Sequence, residues 1–294
     1  MSSPAFLQPS AHTKRRRRQD RVFQFLCLFA AVAAVAILVT LITKVVADGA
    51  PRVNWHFVSE FPSRIFPKKA GILSPLAGSV AVMVLTILFV VPVGIAAAIY
   101  LQEFNYRKGP LVRFIQVNIG NLAGVPSIVF GMLGLSLFVT AMHLGKSILT
   151  GALTMGILVL PMVILVTQEA LKAVPNSYRE ASLALGSTQW QTIQKAVLPR
   201  AMPGILTGII LAASRAIGET APLIVVGAVG LVTFLPDSLQ SRYTVLPLQI
   251  LDWIGQPRED FRIAAAAAIL VLMGMLIVLN SVAIFIRARY QSKV

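Results

Sequence analysis

Charge is scarce in this chain, and acidic charge is scarcer still. Only 13% of its 294 residues are charged, and 11 acids face 26 lysines and arginines. There is one cysteine, Cys27, and there are three histidines, His12, His56 and His143. A single thiol cannot close an internal disulfide, and Cys27 lies in an apolar run, where it reads as a small apolar residue. The histidines fall in the N-terminal tail and in polar connections, none of them in HExxH or another metal-ligand spacing. No paired catalytic groups emerge, which counts against a membrane enzyme. Gly145-Lys146-Ser147 resembles the end of a phosphate-binding loop, but Thr140 stands where the first glycine belongs. The string also joins two apolar stretches instead of a strand and a helix. No nucleotide site, metal or cofactor is therefore expected, and any ATP would be hydrolysed by a partner.

Hydrophobic residues make up 56% of the chain and gather in long runs. Runs of roughly 20 uncharged apolar residues match a helix crossing about 30 Å of hydrocarbon. Six can be drawn: Val22–Val46, Pro75–Leu101, Phe114–Met142, Ile148–Leu171, Gly204–Phe234 and Ile263–Ile286. The expected class is all-α and integral to the membrane, with a basic tail over 1–21, a permease body over 22–286 and a short tail over 287–294. The basic region before Val22 could open a signal peptide, but the apolar run after it exceeds the 7–15 residues or so of a cleavable signal, so an anchor is expected.

The net charge of +15 would suggest nucleic acid in a soluble protein. Here it serves topology, with contact to anionic membrane lipid as an addition. With the N-terminus inside, sixteen basic residues fall on the cytoplasmic side, among them Lys14 to Arg18, Arg21, Arg107, Lys108, Arg179 and Lys293. Nine fall outside, mostly in two longer loops, and both termini are expected in the cytoplasm.

One inside connection is long, 168–203. It holds Pro175-Asn176-Ser177, a helix-forming stretch, Leu198-Pro199 and Pro203. Asn176 or Ser177 can cap a helix, and the prolines are expected to end its continuation. About 35 residues exceed what joining two helices requires, so a docking surface is expected. Small residues at Ala181, Ser182, Ala184 and Gly186 allow close approach to another surface, and Tyr178 and Trp190 could anchor it. The same small residues could instead pack the loop on its own membrane domain.

Two further stretches carry polar groups at membrane depth. In the third run Gly120, Gly124, Pro126, Gly131 and Gly134 weaken or break a helix, and Asn118, Asn121 and Ser127 add polarity. Irregular backbone there must be buried or line a watery cavity, and exposed amides can bind anions; close packing through small residues is the other reading. In the fifth run Arg215 and Glu219 stand four apart, which on a continuous helix puts them on one face about 6 Å from each other. They read as a structural ion pair or as groups facing a pathway, with Thr220 beside them.

The loop motif Glu180-Ala181-Ser182-Leu183-Ala184-Leu185-Gly186, then nine residues, then Ala196-Val197-Leu198-Pro199, resembles the EAA loop of type I ABC importer permeases. Ser182 replaces an alanine of that pattern, and Ala196 its isoleucine. Asn121 to Gly131 and Ser214 to Pro222 resemble the permease subunits of bacterial high-affinity phosphate importers. The resemblance runs from the second apolar run to the last. It implies a multi-pass subunit of the inner membrane, paired with a second, homologous permease as a heterodimer. It further implies two ATPase subunits and an external phosphate-binding protein. Glu180, Ala181, Ser182 and Gly186 would meet the ATPase, while Arg215, Glu219, Asn121, Ser127 and Thr220 would line the substrate pathway. Sulfate, molybdate or phosphonate would suit the same machine, and an ATP-independent secondary transporter is the more distant alternative.

Overall fold

The computed structural model describes residues 11–104, 109–228 and 230–291. Residues 1–10 of the basic tail, Arg107, Lys108 and Lys293 lie outside them. Every regular element among the described residues is a helix. Hydrocarbon offers backbone N–H and C=O groups no partner, so each spanning segment must satisfy its own.

Five helices are long and apolar enough to cross a membrane. They are α1 (Ala11–Gly49), α3 (Leu73–Glu103), α6 (Ile148–Lys172), the continuous stretch Gln189–Gly218 and α12 (Glu259–Gln291). Short α2 (Trp55–Ser59) lies in the first connection. The third expected span is not one straight helix. Its residues form α4 (Pro110–Leu122) and α5 (Ser127–Gly134, running on as a π-helix to Ala141), bent by 108° at the break. Counted as one, the pair makes six. Gly124 and Pro126 lie in that break, where proline withholds a donor and glycine costs helix stability.

The fifth span also departs from expectation. Its helix starts earlier, as α8 (Gln189–Thr192), a π-turn over Ile193–Val197 and α9 (Leu198–Gly218), and it stops at Gly218. Beyond it come α10 (Ala221–Val226), a non-helical segment and α11 (Leu246–Ile254). Pro222 in the first turn of α10 and Gly227 at φ 94° delimit that short helix. Pro199 and Pro203, expected to end the loop helix, instead lie inside this spanning helix, Pro199 in the first turn of α9 and Pro203 farther along. The π-turn just before Pro199 loosens the hydrogen-bond ladder where the proline needs room.

The core is the packing of α3, α6 and α9, with Val82, Val90, Met155, Val163, Ala212 and Ala216 in one cluster. Glycine permits the closest approach: a Cβ at Gly208 on α9 would lie 1.7 Å from Val166 Cγ1 on α6. Helices in lipid associate through such small-residue contacts because hydrocarbon supplies no hydrophobic drive between them. By contrast α1 touches the rest chiefly through α12, and none of its spanning window is buried. Gly208→Val should therefore cost about 1–3 kcal/mol through overpacking. Gly274→Ala on α12, with nothing within 4 Å of the new Cβ, should not destabilise and should gain up to about 1 kcal/mol by removing glycine's helix penalty. Melting of the detergent-purified variants checks both.

Candidate functional site

Two regions carry the expected functional residues, one at an end of the bundle and one midway along it. At the first, α6 ends at Lys172 and α7 (Asn176–Ala184) follows after a three-residue turn opened by Ala173. Neither Asn176 nor Ser177 caps α7. The Asn176 side chain instead accepts from Arg179 Nη1 at 3.3 Å. A turn closed by Gly186, at φ 82°, leads into the Thr188 capping box of α8. Glu180, Ala181 and Gly186 are exposed, as a docking surface requires. Leu185 at the turn is 88% exposed, an apolar tip with no cover within the chain. Ser182 points the other way, its Oγ 2.9 Å from Thr192 Oγ1, and holds α7 to α8. The two expected anchors are occupied within the chain. Tyr178 lies under the Arg200 guanidinium at 3.9 Å, and Trp190 stacks on Phe104 with centroids 6.3 Å apart.

What fixes α7 is a pair whose role the sequence did not reveal. Arg179 Nη2 and Nε donate to Glu103 at 2.7 and 3.1 Å, a bidentate fork onto the last residue of α3. Nη2 also donates to Leu171 O at 2.8 Å, and Nη1 to Val174 O at 2.7 Å. With Asn176, these contacts occupy the full donor set of a guanidinium. Gln189 Nε2 donates to the backbone oxygen of Glu103 at 2.6 Å. The Arg179 and Glu103 side chains are 14% and 8% exposed. The one trace in the sequence is Glu103 itself, a lone acid closing an apolar run on a side otherwise rich in cations.

The second region is the α4–α5 break. A cavity of about 220 Å³ lies between it, the middle of α6 and the C-terminal end of α9. Leu122, Val125 and Ser127 line it from the break, Met162 and Val166 from α6, and Arg215 from α9. Arg215 and Glu219 do meet, Nε to Oε1 at 3.5 Å, though not on one continuous helix. Glu219 follows the last turn of α9 in extended conformation, its N–H bonded to Ala216 O. The Arg215 side chain is 58% exposed and that of Glu219 20%. Arg215 thus borders the cavity and also faces outward from this chain. Ser127 opens α5 at the cavity, and half-buried Thr220 opens α10. Asn121 is exposed on α4 and is not among the cavity residues. Of the glycines in the third run, Gly131 and Gly134 pack tightly on Pro222 and Thr154, while a Cβ at Gly120 would meet nothing within 4 Å and one at Gly124 only the Asn121 carbonyl oxygen at 3.5 Å. Beside Arg215, Ser214 donates to Asn280 Oδ1 on α12 at 2.7 Å, another link without a sequence signal.

At the end of the bundle opposite α7, the segment between α10 and α11 is tied down by polar contacts. Bonds from Ser241 and from backbone hold the Asp237 carboxyl below its usual pKa range, and burial pushes the Tyr243 phenol up. Arg64 forks onto Asp252 of α11 with a closest contact of 2.7 Å.

A family model described as "Binding-protein-dependent transport system inner membrane component" matches residues 90–294. The chain is 34% identical over 267 residues to the phosphate transport system permease protein PstA of Mycobacterium leprae, covering 88% of this chain and 86% of that one. It is 36% identical over 197 residues to a probable ABC transporter permease of Bacillus subtilis, YqgI, covering 67% of this chain and 66% of that one. Among solved structures, a chain of a bacterial alginate ABC transporter, in complex with an alginate pentasaccharide-bound periplasmic protein, has the same fold. Its TM-score is 0.63 at 17% identity, over 92% of this chain and 94% of that one.

Gly186 tests the local geometry independently of any partner. Its left-handed backbone costs a residue with a Cβ about 1–2 kcal/mol, and asparagine the least. No atom lies within 4 Å of the added Cβ, so strain and not crowding governs the result. Gly186→Val should increase protease cleavage in the turn between α7 and α8, and Gly186→Asn should resemble the parent.

Proposed function

The chain belongs to the family of binding-protein-dependent transport system inner membrane components, and from that membership we propose that it is the permease subunit of an ATP-driven importer of inorganic phosphate. The observation that carries the substrate class is the forked cation of Arg215 at the rim of a cavity opened by broken helices. A charge at membrane depth costs about 2.5–3.5 kcal/mol even on insertion scales, so it implies a task. A guanidinium presents paired donors that match phosphate oxygens. Glu219 restrains the arginine, keeps the anion from binding too tightly to leave, and can accept a hydrogen bond from protonated phosphate, which fully ionised sulfate cannot offer. Ser127 and Thr220 supply hydroxyls nearby, and Asn121 belongs to the pathway wall completed by a second permease. The outward exposure of Arg215 fits a pathway shared between two subunits.

In this reading the α7 end faces the cytoplasm, with both termini, and the protein is a transport component that performs no catalysis. Glu180, Ala181 and Gly186 contact one of two ATPase subunits, with Leu185 at the tip, while Ser182 supports the loop from behind. Residues 22–286 form the permease body between the tails 1–21 and 287–294. A homologous permease completes the membrane unit of the inner membrane, and an external phosphate-binding protein delivers the anion to the opposite end.

Co-purification with partners, then anion-stimulated ATPase and uptake in liposomes, tests the reading; phosphate should stimulate and sulfate should not. Arg215→Gln should abolish phosphate uptake, a loss of at least about 100-fold where a charged donor pair is removed, while the complex still assembles. Normal phosphate uptake by this variant, or failure of assembly, would return Arg215 and Glu219 to a purely structural pair. Gly186→Trp should leave membrane insertion intact but detach or uncouple the ATPase; full ATPase binding and uptake would reassign the loop to packing.

A further inference from the structure

The connection of α7 to the membrane helices is not what its sequence neighbours alone would give. By chain, α7 joins α6 and, through α8, α9. Through Arg179 it is also forked onto Glu103, 76 positions earlier, at the end of α3. Apolar packing follows the same route, because Ile99 of α3 shares a cluster with Leu171, Val174, Ile193 and Val197. A buried, bidentate ion pair with all its donors used is directional in a way that apolar contact is not.

At its other end α3 holds the segment that leads from α10 to α11. Ser74 Oγ donates to Val232 O, and Leu246 N donates to Ser79 Oγ at 2.8 Å. Gly78 lies so close that a Cβ would stand 2.1 Å from Thr244 O. These contacts and Glu103 lie on one helix of 31 residues, and from Ser79 to Glu103 it rises about 36 Å at 1.5 Å per residue. The held segment begins just after α10, which packs on α5 and adjoins Glu219. A displacement of α7 therefore reaches α3 at Glu103, and α3 at its far end bears on the segment that leads from α10 to α11.

We propose that Glu103 and Arg179 are positioning residues that transmit movement of the ATPase-contacting α7 along α3 to the segment 232–246 at the opposite end. The proposal rests on the reading of α7 as the ATPase contact. Coupling between distant sites requires an element that both sites bias, and here the element is α3 with the segment it holds.

Removing one partner alone would strand a buried charge and destabilise the chain. Replacing both by apolar residues does not, and such replacements are often neutral or better. The test variant is thus Glu103→Leu with Arg179→Met, in the full complex of permeases, ATPases and binding protein reconstituted in liposomes. It should fold and retain the ATPase subunits, yet phosphate imported per ATP hydrolysed should fall about ten-fold, the scale of a typical inter-site coupling. Spin labels at Leu239 and Ile277, introduced with Cys27→Ser, provide a readout that does not need the transported anion. Adding a non-hydrolysable ATP analogue should change their separation in the parent and not in the double variant. An unchanged import-to-ATP ratio, or a retained nucleotide-dependent change in separation, overturns the proposal. So does loss of the ATPase from the double variant, which would make the pair only a scaffold for docking. If instead Gly186→Trp keeps the ATPase bound and uptake normal, it is the docking reading of α7 that falls.

Discussion

Hydrocarbon gives a peptide group nothing to bond with, and this single constraint governs where the chain can be regular and where it can break. Each long helix satisfies its own backbone, so α1 can face lipid along its whole spanning window without cost. A break has no such freedom. It must be covered by protein, relieved by a neighbouring helical irregularity, or opened to water. The two principal breaks lie at 123–126 and 219–220, and the cavity beside the first is bordered by Arg215, which pairs with Glu219 at the second. The irregular backbone and the costly charge occupy the same place because each needs an environment other than lipid.

Other irregularities are absorbed locally. Pro199 follows a π-turn, and α5 passes into a π-helix over Leu135–Ala141 before the chain turns back. Pro92 and Pro161 sit within α3 and α6 without ending them. Proline in a spanning helix is tolerable when neighbouring helices and local rewinding compensate for the missing donor. The same residue type thus breaks the chain at Pro126, with Gly124 two positions before it, and leaves it continuous at Pro203.

The bundle also has a mechanical consequence. A loop that only linked α6 to the next span would move with those two helices. The Arg179 fork adds α3, which reaches the far end and grips the segment leading to α11. Burial explains why one ion pair can matter: a pair this covered is weak evidence for stability but is strongly directional. The exposed cation–carboxylate contact of Lys172 and Glu169 at the same end has no such role, since solvent screens it.

The sequence by itself determined the class, the approximate spans and the place of the EAA loop, because each depends on composition within a short window. Apolar runs of twenty residues, charge bias in the loops and small residues at fixed spacing do not need a partner to be seen. Arg215 and Glu219 were visible for the same reason, as charges inside an apolar run. The tertiary structure alone decided where and how sharply the third run bends, that the fifth stops at Gly218 and that Asn121 stands apart from the cavity. It alone joined Arg179 to Glu103 and Ser214 to Asn280, across 76 and 66 positions. Hydropathy averages over a break of four residues, and pairing across so many residues leaves no periodicity, so neither could be read before the helices were packed.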